Sequence, residues 1–92
     1  MLVIQETYVN ETRGYLLGEP TEYYEPSTDN IGELFKSCRK EHGRCISRVY
    51  QDTPDGTADP IGWVFEKLCK YDDTGERFLQ NVWVTYKWVK DN

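Results

Sequence analysis

The strongest constraint on the fold is a pair of alternating segments around a short turn near the C-terminal end of the sequence. Residues 61–71 read IGWVFEKLCKY and residues 76–89 read ERFLQNVWVTYKWV, with DDTG between them. Aromatic and β-branched residues recur at alternate positions over much of both segments, and the turn ends in glycine. This pattern predicts a long β-hairpin that closes with Tyr71 opposite Glu76.

The predicted register divides the hairpin side chains between two faces, because successive side chains of a strand alternate. The expected core face pairs Cys69 with Phe78, Lys67 with Gln80, Phe65 with Val82, Trp63 with Val84 and Ile61 with Tyr86. The other face pairs Val64 with Trp83, Glu66 with Asn81, Leu68 with Leu79 and Lys70 with Arg77. Its four apolar residues are Val64, Leu68, Leu79 and Trp83. Either another segment of the chain covers these four, or they form a protein interface.

The segments before the hairpin predict further strands and one helix. Residues 2–9 predict a strand, residues 15–17 predict a short second strand, and residues 18–27 predict an extended connection. A helix is expected to begin at Asn30, whose side chain with that of Glu33 resembles a capping box. Its apolar stripe consists of Ile31, Leu34, Phe35 and Cys38.

Gly43 is suited to end the helix, and residues 45–51 predict the next strand, which a turn at 53–56 follows. The predicted fold is therefore α+β: an antiparallel sheet of about four to five strands, in the order β(β)αβββ, with one helix packed on one face. The residues expected to be buried in its core are Leu34, Phe35, Trp63, Phe65, Val82 and Val84.

Composition limits the classes of function. The chain of 92 residues is expected to form a single domain, residues 1–92, and its net charge of −5 argues against general binding to nucleic acid or to anionic membranes. No apolar run approaches the roughly 18 residues that span a bilayer, and Gln5 and Glu6 interrupt the only apolar start that a signal peptide could use. Three cysteines, an odd number, favour reduced thiols in a cytosolic protein.

One set of residues has a composition known from structural zinc sites: Cys38, His42, Cys45 and Cys69. The spacing is not that of a regular zinc site, and Cys38 also fits the apolar helix stripe, where a thiol packs as a small hydrophobe. We therefore expect these residues to serve packing and the protein to bind no metal and no cofactor. His42 is the only histidine, and no nucleophile or acid is arranged around it in sequence, so we expect no enzyme.

The segment 36–48 is basic within an acidic chain. Its cationic residues are Lys36, Arg39, Lys40, Arg44 and Arg48. They form either a solvated helix face that pairs with acidic loops, or a patch that binds anions or nucleic acid.

Three runs of the sequence resemble a group of small uncharacterised accessory proteins of actinobacterial phages, similar to those of mycobacteriophages. These are YYEPSTDNIGELFKSCRKEHGRC, PDGTADPIGWVFEK and YDDTGERFLQNVWVT, so the resemblance spans roughly residues 22–86. It implies an accessory phage product made in the host bacterial cytoplasm, and it carries no activity or site assignment.

We therefore expect a small non-enzymatic protein that binds a host or phage protein, with a homodimer as one form of that association. The predicted interface is the apolar set on the second hairpin face. The alternative is a nucleic-acid-associated regulator that uses the basic segment 36–48. A third option is a small-ligand binder that uses the aromatic side chains, which make up 14% of the chain.

Overall fold

A computed structural model describes residues 2–25 and 30–89 of the chain. The elements are β1 Leu2–Asn10, β2 Tyr15–Leu16, β3 Thr21–Glu25, α1 Ile31–His42, β4 Arg44–Asp52, β5 Ala58–Lys70 and β6 Arg77–Trp88. The fold is α+β, as the sequence predicts, with one antiparallel sheet and one helix between its third and fourth strands.

The sheet has the strand order β2–β1–β6–β5–β4, and β3 also pairs with β1. Strand β2 pairs with the end of β1 at residues 9–10, whereas β3 pairs with its beginning at residues 2–6. Both therefore lie along the same side of β1, because its other side pairs with β6. The N-terminal strand thus enters the sheet beside the C-terminal hairpin.

The hairpin register is confirmed. Phe65 lies opposite Val82 and Val64 lies opposite Trp83, and the other predicted pairs from 63 to 70 agree as well. The turn closes as expected, since the Tyr71 amide donates to the Glu76 carbonyl at 2.9 Å. The predicted pair of Ile61 with Tyr86 lies outside the observed register, which begins at Gly62.

The strand β3 is an addition to the prediction, and it brings the sheet to six strands. The sequence predicts only an extended connection over residues 18–27, of which 26 and 27 lie outside the described residues. The segment TEYYE lacks a clear apolar alternation because it is an edge strand, in which residues 21–24 are exposed. Its pairing with β1 is held by backbone hydrogen bonds, which a residue pattern does not reveal.

The helix begins and ends where the local signals predict. The Asn30 side chain accepts hydrogen bonds from the amides of Gly32 at 2.8 Å and Glu33 at 3.3 Å, which caps the first turn. Gly43 follows the last turn with a φ of 101°, a left-handed conformation that glycine adopts without a steric penalty.

The core lies between α1 and one face of the sheet. Its buried residues are Leu2, Ile4, Leu34, Cys38, Trp63, Phe65, Val82 and Val84. Five of the six predicted core residues are thus buried, and Phe35 is only partly buried at the edge of the helix contact. Two residues that the prediction leaves out, Leu2 and Ile4, come from the N-terminal strand.

The free edge strand β4 is irregular. Its register with β5 shifts between Cys45 and Ser47 and again between Val49 and Tyr50. Bulges of this kind twist an edge strand and hinder pairing with a further strand. The outer edge of β4 is therefore poorly suited to extend the sheet.

Candidate functional site

The two faces of the sheet differ. Helix α1 covers the core face, and no helix of the described chain covers the other, which we call the open face. It carries the alternate side chains of each strand, as the register places them. Its apolar residues are Val3, Val9, Leu16, Tyr24, Val49, Val64, Leu68, Leu79 and Trp83.

All four predicted interface residues lie on the open face, but not at the same depth. Trp83 is 44% exposed and Leu68 is 54% exposed, and Leu79 is half-buried. Val64 is buried at 3% exposure, so it forms the floor of the face rather than its outer surface. The N-terminal strand does not cover Trp83, because Thr7 pairs with it as a neighbour within the sheet.

A groove of about 530 Å³ runs along the open face beside Trp83. The other residues that line it are Gln5, Thr7, Val9, Glu11, Leu16 and Thr85. A second groove continues from it, since Gln5 and Thr85 line both. The open face therefore offers a continuous concave strip in which the exposed Trp83 ring lies among apolar and polar side chains, with Glu11 as the charged side chain of the first groove.

The open face is close to neutral in a chain with a net charge of −5. Its charged side chains are Glu11, Glu22, Arg44, Glu66, Lys70, Arg77 and Lys87. Within it Arg44 forms an ion pair with Glu66 at 3.0 Å, and Lys70 lies opposite Arg77 next to the hairpin turn. Most of the excess negative charge thus lies elsewhere on the molecule.

The five basic residues of segment 36–48 do not form one surface. Lys36, Arg39 and Lys40 are exposed on α1. Arg44 lies on the open face, on the opposite side of the sheet from the helix. Arg48 is half-buried, and its guanidinium lies 4.9 Å from the Trp63 ring centroid.

The cysteines and the histidine also lie apart. Each cysteine is a thiol; Cys38 is buried under the helix, Cys45 is exposed and Cys69 is partly buried. Within the described part of the chain, no three His, Cys, Asp or Glu side chains gather in an arrangement that could hold a metal ion. Cys38 serves the core packing that the apolar stripe predicts.

Sequence reasoning misses a polar cluster in which buried Glu6 and His42 meet the half-buried Tyr8 and the partly exposed Tyr23. His42 is 3% exposed and Glu6 is 7% exposed. The His42 Nε2 lies 3.2 Å from the Glu6 carboxylate. The hydroxyl of Tyr8 donates to the same carboxylate at 2.8 Å, and that of Tyr23 at 3.0 Å. The missed signal is the helix period, because His42 follows Cys38 by four residues and so continues the buried stripe.

Hydrogen bonding governs the charge of this cluster. The bond from His42, the largest influence, lowers the pKa of Glu6, and the two tyrosines act in the same direction against the effect of burial. Burial and the nearby Glu6 carboxylate raise the pKa of both tyrosines. The Glu6 carboxylate thus accepts hydrogen bonds from three side chains and links β1, β3 and the end of α1. None of these four residues lines the two grooves of the open face.

The lowered pKa of Glu6 predicts a loss of stability in acid. A carboxyl whose folded pKa is depressed adds stability above its unfolded pKa, near 4.3, and that stability is lost as the pH falls through the folded value. We expect the free energy of unfolding, measured by urea titration, to fall below about pH 5. Glu6→Gln should weaken this dependence, whereas Glu76→Gln, at a side chain 66% exposed, should retain it. Equal pH profiles for all three proteins would contradict the assignment.

Comparison with protein-family models, with curated proteins and with solved structures finds no match for this chain. Among the described residues, no helix has the length and apolar character to cross a membrane. The fold is that of a small α+β protein in which the described residues place a helix on only one face of the sheet.

Proposed function

We propose that the protein is a small non-enzymatic binding protein that acts through its open face. The observation that supports this proposal is the exposure of Trp83 and Leu68 on a sheet face that α1 leaves uncovered. Large apolar side chains that lie together on a surface mark interaction sites, and tryptophan is enriched among the residues that dominate binding energy.

The size of the open face favours a second copy of the chain as the binding partner. Strands lie about 4.8 Å apart and residues about 3.3 Å apart along them. Strands β1, β6, β5 and β4 form four rows, and β2 and β3 together form a fifth along the outer side of β1. Five rows of roughly nine residues cover roughly 24 by 30 Å, or about 700 Å², close to the roughly 800 Å² that each partner buries in a typical stable interface.

The charge distribution also favours a second copy of the chain as the binding partner. Two chains with a net charge of −5 repel each other, and contact through a nearly neutral face minimises that repulsion. Lys70 and Arg77 lie at the hairpin tip, whereas Glu66 and Glu11 lie nearer the middle of the face. A two-fold arrangement brings the basic tip of one copy over the acidic residues of the other, which is the self-complementarity that a symmetric dimer requires.

The resemblance to accessory phage proteins suggests the setting: the bacterial cytoplasm, with a host or phage protein as the target of the dimer. A dimer formed through the open faces leaves both helix faces available to such a target. The nucleic-acid alternative has less support, because Arg44 lies on a different face from the exposed cations of α1.

Trp83→Glu should weaken self-association at least 30-fold, about 2 kcal/mol, because it places a charge in the centre of the interface. Trp88→Glu is the matched control, since Trp88 is 52% exposed on the same strand but its side chain lies on the opposite face. Sedimentation velocity over a range of concentrations measures the dissociation constant, and circular dichroism checks that each variant is folded.

Leu68→Lys provides a second test at an exposed position of the same face, and it should have a similar effect. A wild-type chain that stays monomeric at high concentration would refute the dimer. Equal weakening by Trp83→Glu and Trp88→Glu would show that the open face is not the contact surface.

A further inference from the structure

A third groove, separate from the open face, lies beside the first turn of α1. Its volume is about 320 Å³, within the range of small-ligand sites. The residues that line it are Ile31, Gly32, Phe35, Arg48 and Trp63. Its walls are therefore apolar and aromatic, with one cationic side chain.

Arg48 is held in a fixed position within this groove. Its Nη2 donates to the Tyr86 hydroxyl at 2.7 Å, and that hydroxyl donates in turn to the Pro60 carbonyl at 3.3 Å. The guanidinium lies 4.9 Å from the centroid of the Trp63 ring, a cation–π contact. The aromatic rings of Phe35 and Trp63 pack at 5.3 Å between centroids, and this contact fixes the adjoining wall.

Arg48 has no counterion in the part of the chain that the structure describes. Among the described residues no carboxylate lies within ion-pair distance of it, although Arg13 and Arg44 each have one in Glu76 and Glu66. Its Nε is buried and has no hydrogen-bond acceptor among residues 2–25 and 30–89. A half-buried guanidinium without an opposite charge is unfavourable, and a carboxylate accepts from it with the geometry that arginine favours.

We propose that this groove binds a small carboxylate with a planar apolar body. The carboxylate contacts Arg48, and the apolar body packs on Phe35 and Ile31. The helix end does not supply the anion site, because Asn30 already accepts from the amides of Gly32 and Glu33. Such a carboxylate occurs in free aromatic acids and at the C-terminal residue of a peptide that ends in an aromatic side chain.

The test is an NMR titration of the full chain labelled with ¹⁵N. Phenylacetate represents the free acid, N-acetylphenylalanine represents the peptide end, and the corresponding amides are neutral controls. The Arg48 Nε–H and Trp63 indole resonances report occupancy of the groove. We expect saturable shifts with at least one acid, and binding at least 10-fold weaker for its amide, since only the acid offers a charge to Arg48.

Arg48→Gln should weaken binding of the acid at least 10-fold, whereas Arg44→Gln, which removes a cation from the other side of the sheet, should leave it unchanged. The comparison of acid with amide on the wild-type protein remains decisive if Arg48→Gln fails to fold. Equal affinity for acid and amide, or the absence of shifts at the groove up to about 10 mM, would overturn the proposal. Inorganic phosphate that binds as tightly as the acids would also overturn it, because the apolar body would then contribute nothing.

Discussion

Glu6→Ala is expected to destabilise the protein by about 3 kcal/mol or more, a large part of the total stability of a small domain, because three hydrogen bonds to a carboxylate are lost. The substitution removes the acceptor shared by Tyr8, Tyr23 and His42. His42 is almost fully buried, so its ring cannot recover the lost hydrogen bond from water. The end of α1 and the edge strand β3 lose their common connection to β1 at the same time.

Urea titration followed by circular dichroism measures this effect. Glu76→Ala is the matched control, because Glu76 is exposed and forms only a 3.5 Å ion pair with Arg13. It should cost less than about 1 kcal/mol. A loss of similar size in both variants would mean that the buried cluster contributes little to stability.

Gly62→Ala is expected to cost about 3 kcal/mol or more, and it should prevent folding if the backbone cannot move. Strand β5 passes so close to β6 at this point that an added Cβ would overlap the Val84 carbonyl oxygen and crowd the Thr85 Cα. Both obstacles are backbone atoms of a central strand pair, so no side-chain rotation relieves them. A glycine within a strand marks this kind of close approach.

Gly75→Ala is the control, because it introduces backbone strain without steric overlap. Gly75 has a φ of 72° and nothing within 4 Å of an added Cβ, so its replacement should cost only the roughly 1–2 kcal/mol of a left-handed conformation. Thermal unfolding compares the two variants. Gly62→Ala with a stability within 1 kcal/mol of the wild type would show that β5 has room at this position.

Local signals account for the elements that sequence reasoning predicts well. The hairpin register depends on a period of two and on a turn within the same segment, so neighbouring residues contain the information. The helix bounds depend on Asn30 and Gly43, which act through their own backbone and side-chain geometry. The placement of Val64, Leu68, Leu79 and Trp83 on one face follows directly from that register.

Long-range contacts account for what the sequence leaves open. Strand β3 forms where β1 presents an unpaired edge, and the residues TEYYE lack the apolar alternation by which the other strands are predicted. Glu6 and His42 lie 36 positions apart and meet only when α1 packs across the sheet. A register shift in β4 between Cys45 and Ser47 places Arg44 and Arg48 of one basic segment on different faces, although they lie four residues apart on the same strand.

The sequence by itself determined the α+β class, the hairpin with its two faces, the helix and its caps, because each depends on a period or on a few adjacent residues. Only the tertiary structure decided which face α1 covers, and hence that Trp83 remains exposed while Val64 is buried. It also decided that Arg48 lies in an aromatic groove and that Glu6 meets His42. The physical reason is that burial and pairing depend on which elements come together in space, and a residue pattern describes only one element at a time.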